Sequence, residues 1–199
     1  MGLLLKSDRS SIDSKSLMAV SKFSNMILDY INSYYDDDYN DIVIVCIGTD
    51  RSTGDALGPL VGHKLNSILK RYPDIYVIGT LENPVHAKNL NEKINYIEDN
   101  HDSPFIIAID ACLGKQDRIG FISIGKGPLK PGAGVNKDLP QVGHIHITGV
   151  VNLGGFMEYV ILQNTRLSTV MNMADIISRS FNTAFWKYYK SNNHVRIKI

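Results

Sequence analysis

Short apolar runs alternate with amphipathic segments along most of the chain. Five of these runs have the length and nearly continuous apolar content that is typical of buried strands. The predicted strands cover residues 42–48, 75–80, 105–110, 119–124 and 145–151. Nearly continuous apolar strands between amphipathic helices are typical of a mostly parallel sheet covered on both faces. The pattern therefore predicts an α/β fold, a single three-layer α/β/α domain.

Helical spacing of apolar residues marks the segments around these strands. The predicted helix faces contain Val20, Phe23, Ile27, Ile31 and Tyr34; Leu57, Leu60, Val61, Leu65, Ile68 and Leu69; Ala87, Leu90, Ile94 and Ile97; and Leu167, Val170, Met171, Ala174, Ile177 and Phe181. Because the first helix precedes the alternating pattern, we predict an N-terminal helical extension at residues 1–40 and an α/β domain at residues 41–199. Residues 125–143 contain five glycines and three prolines, which predicts a loop that forms a flap over a site.

Composition excludes several classes of protein. The chain has 21 Lys and Arg residues and 20 Asp and Glu residues, a balance that weighs against a nucleic-acid binder. No apolar run approaches the ~20 residues of a membrane span, so we expect a cytoplasmic protein without a membrane partner. Cys46 and Cys112 form neither a disulfide framework nor a zinc motif, and we interpret both as buried thiols. The glycine spacing of residues 48–58 matches no nucleotide-binding motif.

Two aspartates stand where apolar strands end. Asp110 closes the run 105–110, and Asp55 follows the run that ends at Gly48. The first and third strands of such sheets commonly lie side by side, and their carboxyl ends are where ligands bind. Two neighbouring carboxyl groups share one proton, which leaves one acid and one base for hydrolysis. The sequence predicts such a pair without assigning the two roles, and for Asp55 alone a helix N-cap is the commoner explanation.

Four other residues could take part in a site. Asp50 lies in the same loop as Asp55 and is a candidate supporting residue, although turn residues of this kind more often form ion pairs. His86, just past the second strand, is a candidate for substrate binding or support. His144 and His146 lie at the amino end of the fifth strand, away from the aspartates. We therefore predict no metal and no cofactor.

Two motifs resemble a known peptidase family. The segment Ile47–Pro59, Ile-Gly-Thr-Asp-Arg-Ser-Thr-Gly-Asp-Ala-Leu-Gly-Pro, resembles the corresponding stretch of the bacterial spore germination proteases. These are atypical aspartic peptidases that degrade small acid-soluble spore proteins. Ala108-Ile-Asp-Ala111 resembles their second motif. The resemblance implies that Asp55 and Asp110 are the catalytic pair.

The stretch 42–183 resembles the YyaC-type spore proteases of endospore formers, notably in Gly149–Met157 and Leu162–Leu167. This resemblance implies a hydrolase, a protease of sporulation or germination, in residues 41–199. Its substrate would be a protein or peptide, such as small acid-soluble spore proteins, in the sporulating cell or the forespore. The resemblance leaves open whether the protein forms a homo-oligomer.

Two other functions stay open. Hydrogenase-maturation endopeptidases share this fold, and they hold nickel with acidic residues at the positions of Asp55 and Asp110 and with a histidine. The chain could therefore be a metal-directed endopeptidase with His86 as a third ligand. It could also be a non-catalytic sporulation protein that retains the protease fold.

Overall fold

The computed structural model of the chain describes residues 9–131 and 139–191. Its strands are β1 (Arg9–Asp13), β2 (Asp41–Cys46), β3 (Ile75–Ile78), β4 (Pro104–Gly114), β5 (Phe121–Lys126) and β6 (Ile145–Leu153). Its helices are α1 (Ala19–Tyr34), α2 (Leu57–Ile68), α3 (Leu90–Asn100), α4 (Glu158–Gln163) and α5 (Leu167–Ser191). A 3₁₀ turn, Gly54–Ala56, directly precedes α2. Further 3₁₀ turns cover Leu69–Arg71 and Gln116–Arg118.

The strands form one six-stranded sheet in the order β1-β5-β6-β4-β2-β3. Strands β6, β4, β2 and β3 are parallel, whereas β5 runs antiparallel to both β6 and β1. The expected contact between the first and third predicted strands is present, because β2 pairs with β4 from Asp41–Pro104 to Cys46–Ile109. The carboxyl ends of these two strands therefore lie at the same edge of the sheet.

Alternate residues of the strands bury opposite faces of the sheet. In β2, Ile42, Ile44 and Cys46 join a large apolar cluster with helices α1, α2 and α5. The intervening Val43 and Val45 join a second cluster, which includes residues of α3. Both faces are thus covered, and the predicted three-layer α/β/α architecture is confirmed.

Residues 9–40 pack into the same core as the described strands and helices that follow them. Phe23 and Ile27 of α1 are fully buried in the large cluster, together with Phe181 of α5. Strand β1 pairs with β5 through five residues, from Arg9–Gly125 to Asp13–Phe121. The predicted boundary at residue 40 therefore crosses one continuous core, and the described part of the predicted helical extension, residues 9–40, contains a strand and a helix of this domain.

Two further elements differ from the sequence prediction. Strand β4 continues to Gly114, past the predicted end at Asp110, because β6 offers it pairing partners up to Leu153 across a bulge. In the predicted flap, Leu129 pairs with Val142, and residues 132–138 lie outside the described ranges. No helix in the described ranges combines the length and apolar character needed to cross a membrane.

Candidate active site

Asp110 lies in the middle of the sheet, near the point where pairing between β2 and β4 ends. It is in register with Thr148 of β6, and the carbonyl oxygen of the preceding Ile109 accepts a hydrogen bond from the Ile47 N–H at 2.7 Å. The Ala111 N–H donates to Oδ1 of Asp110 at 2.8 Å. The residue as a whole is partly exposed, whereas its carboxyl group is buried. Hydrogen bonds made by the residues before and after Asp110 thus fix its position in the strand.

Asp55 lies in the 3₁₀ turn that follows the loop after β2. The Thr49 N–H donates to the Asp55 carbonyl oxygen at 3.1 Å, which folds the loop back on its own start. Gly48 makes this closure sterically feasible, because a Cβ atom there would lie 2.0 Å from the same carbonyl oxygen. The φ angle of Gly48, 147°, also favours glycine. The loop geometry therefore depends on glycine at the end of β2.

The two carboxyl groups interact electrostatically. Burial raises the pKa of Asp110 to about 8, and the negative charge of Asp55 adds to the increase, whereas the Ala111 N–H opposes it. Burial also raises the pKa of Asp55, and the Ser52 hydroxyl lowers it. A pKa of about 8 favours a proton on Asp110 at neutral pH.

Two buried polar atoms near this edge have no hydrogen-bond partner. Within the described residues, these atoms are Oγ of Ser52 and Nδ1 of His86. Ser52 acts on the pKa of Asp55, but its hydroxyl does not reach the geometry of a full hydrogen bond. The loops that carry Ser52 and His86 are neighbours, since the Gly48 N–H donates to the Val85 carbonyl oxygen at 2.7 Å. Buried polar groups normally find partners, and unpaired ones are candidates for ligand contacts.

No described contact brings the other predicted site residues to Asp55 and Asp110. Asp50 is exposed in the turn after β2. Nδ1 of His144 accepts a hydrogen bond from the Ile106 N–H at 2.9 Å, and Nδ1 of His146 lies 2.9 Å from the Gly127 carbonyl oxygen. Across the described part of the chain, no three His, Cys, Asp or Glu residues are grouped to hold a metal ion. His86 therefore does not complete a metal site with Asp55 and Asp110.

The cysteines differ from each other in burial. Cys46 is completely buried, and this burial raises the pKa of its thiol, as the interpretation of a core residue requires. Cys112 is only partly buried, because it lies at the β4 bulge beyond the core. The prediction of two buried thiols is correct for Cys46 and is corrected for Cys112.

An apolar surface flanks the turn that carries Asp55. Helix α4 covers this turn closely: a Cβ atom at Gly54 would lie 2.7 Å from Cδ2 of Leu162. The residues around the start of α4 are large, apolar and exposed: Leu153, Phe156, Met157, Tyr159 and Val160. Phe156 is 90% exposed. Sequence reasoning missed this surface, because apolar residues here look the same as those of a buried helix.

Comparison with known proteins identifies the family. Residues 11–180 match the family described as "Protein of unknown function (DUF1256)". The chain is 60% identical over 142 residues to "Uncharacterized protein YyaC" of Bacillus subtilis (strain 168), a match that covers 71% of this chain and 68% of the relative. The crystal structure of the NiFe hydrogenase maturation protease HycI from Thermococcus kodakarensis KOD1 is similar with a TM-score of 0.48 and 16% sequence identity, over 78% of this chain and 98% of that one. The predicted YyaC-type resemblance is thus confirmed, and the chain belongs to the DUF1256 family.

Proposed function

We propose that this protein is a peptidase of the atypical aspartic type, in which Asp55 and Asp110 share one proton and activate water. The observation that carries the proposal is that β4, which pairs with β2, packs against the turn of Asp55, so that both acids lie at the carboxyl ends of these strands. Burial raises the pKa of Asp110, and the charge of Asp55 adds to the increase. Paired carboxyl groups of this kind supply an acid and a base at the same pH. The two groups titrate as a unit.

The proposed chemistry uses the two acids in different protonation states. Protonated Asp110 donates a hydrogen bond to the carbonyl oxygen of the scissile peptide bond, and the Asp55 carboxylate accepts a proton from water. The water oxygen forms a bond to the carbonyl carbon, giving a tetrahedral intermediate. The proton held by Asp55 then passes to the amide nitrogen, the carbon–nitrogen bond breaks, and a carboxylic acid and an amine are released. No other reactant is needed.

Two features of the surroundings fit a polypeptide substrate. Oγ of Ser52 and Nδ1 of His86 are buried without partners, and a peptide backbone offers both donors and acceptors. The exposed apolar side chains around the start of α4 give a substrate with large side chains a surface beside the turn that carries Asp55. We propose small acid-soluble spore proteins as the substrate class and sporulation or germination as the process. We propose the cytoplasm of the sporulating cell or the forespore as the compartment.

Cleavage of purified small acid-soluble spore proteins between about pH 5 and 8 tests the proposal. Asp110→Asn and Asp55→Asn should each lower the rate by about a thousandfold or more, as expected when one member of a catalytic group is removed. Asp37→Asn is the matched control, because Asp37 is exposed before β2, at the other edge of the sheet. Circular dichroism would verify that the variants fold.

Three outcomes count against the proposal. Full activity of either active-site variant removes the aspartic pair from the reaction. Activity that disappears in the presence of a chelator and returns with nickel or zinc favours the metal-directed endopeptidase. Absence of cleavage by the folded wild-type protein across these substrates and pH values favours a non-catalytic protein.

A further inference from the structure

Strand β3 is a terminal strand of the sheet, and among the described strands it pairs with β2 alone. Terminal strands usually carry charges, proline or a cover that prevents pairing with another chain. The other terminal strand, β1, contains the charged residues Arg9 and Asp13. In contrast, β3 has the sequence Ile-Tyr-Val-Ile, without a charge or a proline. The side of β3 away from β2, the open side, is therefore suited to pairing with an additional strand.

The register of β3 shows which main-chain groups face the open side. Ile42 is in register with Ile75, and the Ile42 N–H donates to the Asp74 carbonyl oxygen at 2.9 Å. Along a strand of a parallel pair, alternate residues make the hydrogen bonds to one neighbour. Tyr76 therefore bonds to β2, whereas the N–H and C=O groups of Ile75 and Val77 point to the open side. No described residue provides a hydrogen-bond partner for these four groups.

A groove of about 270 Å³ follows the open side of β3. All four residues of the strand line it. Asn66 and Lys70 line it from the side of α2, and Tyr96 and His101 line it from the side of α3. The groove thus gives an added strand room for side chains on both faces of the sheet.

The two sides of the groove differ in chemistry. On the α3 side, Tyr76 and Tyr96 are 39% and 52% exposed, and the Tyr76 ring packs against His101. On the α2 side, Lys70 is exposed and has no ion pair in the described part of the chain. No Asp or Glu of the described residues lines the groove. Because successive side chains of a strand point to opposite faces, an added strand would place alternate residues over the tyrosines and near Lys70.

We propose that the open side of β3 binds an extended peptide of alternating apolar and acidic residues as an additional strand of the sheet. The main-chain groups of Ile75 and Val77 supply the hydrogen bonds, the two tyrosines contact the apolar side chains, and Lys70 pairs with a carboxylate. Charge complementarity favours this ligand over a second copy of the chain, because the β3 strand of a second copy brings no carboxylate to Lys70. The inference goes beyond the proposed function, since β3 lies on the far side of β2 from β4 and binding requires no cleavage.

Fluorescence anisotropy with two labelled hexapeptides tests the proposal on the full chain. The probe is Val-Glu-Val-Glu-Val-Glu and the control peptide is Val-Lys-Val-Lys-Val-Lys, and the wild type should bind the probe more tightly. Val77→Pro should weaken binding of the probe about tenfold, because proline removes an N–H that faces the open side and leaves the bonds to β2 in place. Circular dichroism would verify that the variant folds.

Charge reversal at Lys70 gives a second readout, which also serves if Val77→Pro does not fold. Lys70→Glu should weaken binding of the probe about fivefold and strengthen binding of the control peptide. Lys22→Glu is the matched control, because Lys22 is exposed on α1 and does not line the groove. It should leave both affinities unchanged. Equal binding of the two peptides by the wild type, or unchanged binding of the probe by folded Val77→Pro, overturns the proposal.

A photoreactive residue in the groove identifies what occupies it. With p-benzoylphenylalanine in place of Tyr76, irradiation should crosslink the probe peptide, and mass spectrometry locates the crosslink. Crosslinks that join two copies of the chain, or that form within one chain and exclude the probe, assign the groove to another occupant and overturn the proposal.

Discussion

The polar groups at the two ends of the parallel strands, the amino edge and the carboxyl edge of the sheet, differ in whether they have hydrogen-bond partners. At the amino ends of the parallel strands, Nδ1 of His101 lies 2.8 Å from the Asp41 carboxylate. The Tyr189 hydroxyl donates to Asp74, and the Ile106 N–H donates to His144. At the carboxyl ends, Asp110 has a raised pKa, and Ser52 and His86 each keep a buried atom without a partner.

This difference separates structural polar residues from candidate functional ones. Paired polar groups at the amino ends of the strands stabilise the fold, and breaking one pair leaves a buried polar group without its hydrogen-bond partner. Unsatisfied groups at the carboxyl edge cost stability in the free protein, and they are retained where a reaction or a ligand uses them. Replacing a polar side chain should therefore have opposite effects on stability and activity at the two edges.

The largest effect on stability is expected for Asp110→Asn, and it should depend on pH. In the unfolded chain this carboxyl group ionises near pH 4, whereas folding raises its pKa to about 8. The folded wild type binds the extra proton between these values, so its free energy of unfolding falls as the pH rises from about 4 to 8. Asparagine removes this penalty, and the variant should gain at most about 5 kcal/mol relative to the wild type at pH 8. Urea unfolding of both proteins at pH 5 and pH 8 measures the gain; an equal difference at both values contradicts it.

A smaller effect of opposite sign is expected for His101→Ala at the amino edge. The substitution leaves the Asp41 carboxylate without its partner and removes the ring contact with Tyr76, whose centroid lies 4.4 Å away. The loss in the free energy of unfolding should be about 3 kcal/mol. Urea unfolding gives the loss, and the cleavage rate per folded molecule should stay at the wild-type value. A reduced rate with unchanged stability would assign this pair to function.

Gly48→Ala tests whether cleavage depends on the backbone conformation at the end of β2. The new Cβ atom would meet the Asp55 carbonyl oxygen, and the positive φ angle disfavours alanine, so a loss of about 2 kcal/mol and a strong loss of cleavage are expected. Gly127→Ala is a matched control, because Gly127 also has a positive φ, 89°, but a Cβ atom there meets nothing within 4 Å. Thermal unfolding and the cleavage assay distinguish the two. Equal effects at both glycines would contradict the role of Gly48.

The smallest effect is expected away from both edges. Asp175→Asn removes the ion pair with Lys64, in which the Lys64 Nζ and Asp175 Oδ1 atoms are 2.7 Å apart. The Asp175 side chain is 50% exposed, so solvent screens the pair and the loss should be about 0.5 kcal/mol or less. Urea unfolding in low and high salt measures it. A loss of several kcal/mol in the free energy of unfolding would contradict the small contribution expected of an exposed ion pair.

Much of the fold could be predicted because its strands have a continuous apolar pattern. Strand β1 was not predictable, since Arg9–Asp13 contains a single apolar residue, Ile12, and depends on pairing with β5. The position of β6 between β4 and β5 was also not predictable. Chain order does not state which strands become neighbours after long connections. The apolar strands and the β2–β4 contact were therefore predictable from the sequence, whereas β1 and the position of β6 were not.

At the candidate site, sequence motifs pointed to Asp55 and Asp110 but gave no sign of Ser52. A serine in a polar loop usually faces solvent, and its burial depends on the fold of the whole segment. The exposed apolar side chains around the start of α4 were missed for the opposite reason, because apolar residues are usually buried. In both cases exposure depends on tertiary packing, which composition and spacing do not specify.

The two acids lie on backbone segments that differ in stiffness. Asp110 stands in a strand with neighbours on both sides, whereas Asp55 lies on a single 3₁₀ turn between a loop and α2. A change in the spacing of the carboxyl groups during turnover would thus come from movement of the turn. Amide hydrogen exchange should be slow at Ile109–Ala111 and faster at Gly54–Ala56, and a bound peptide should slow exchange chiefly in the turn.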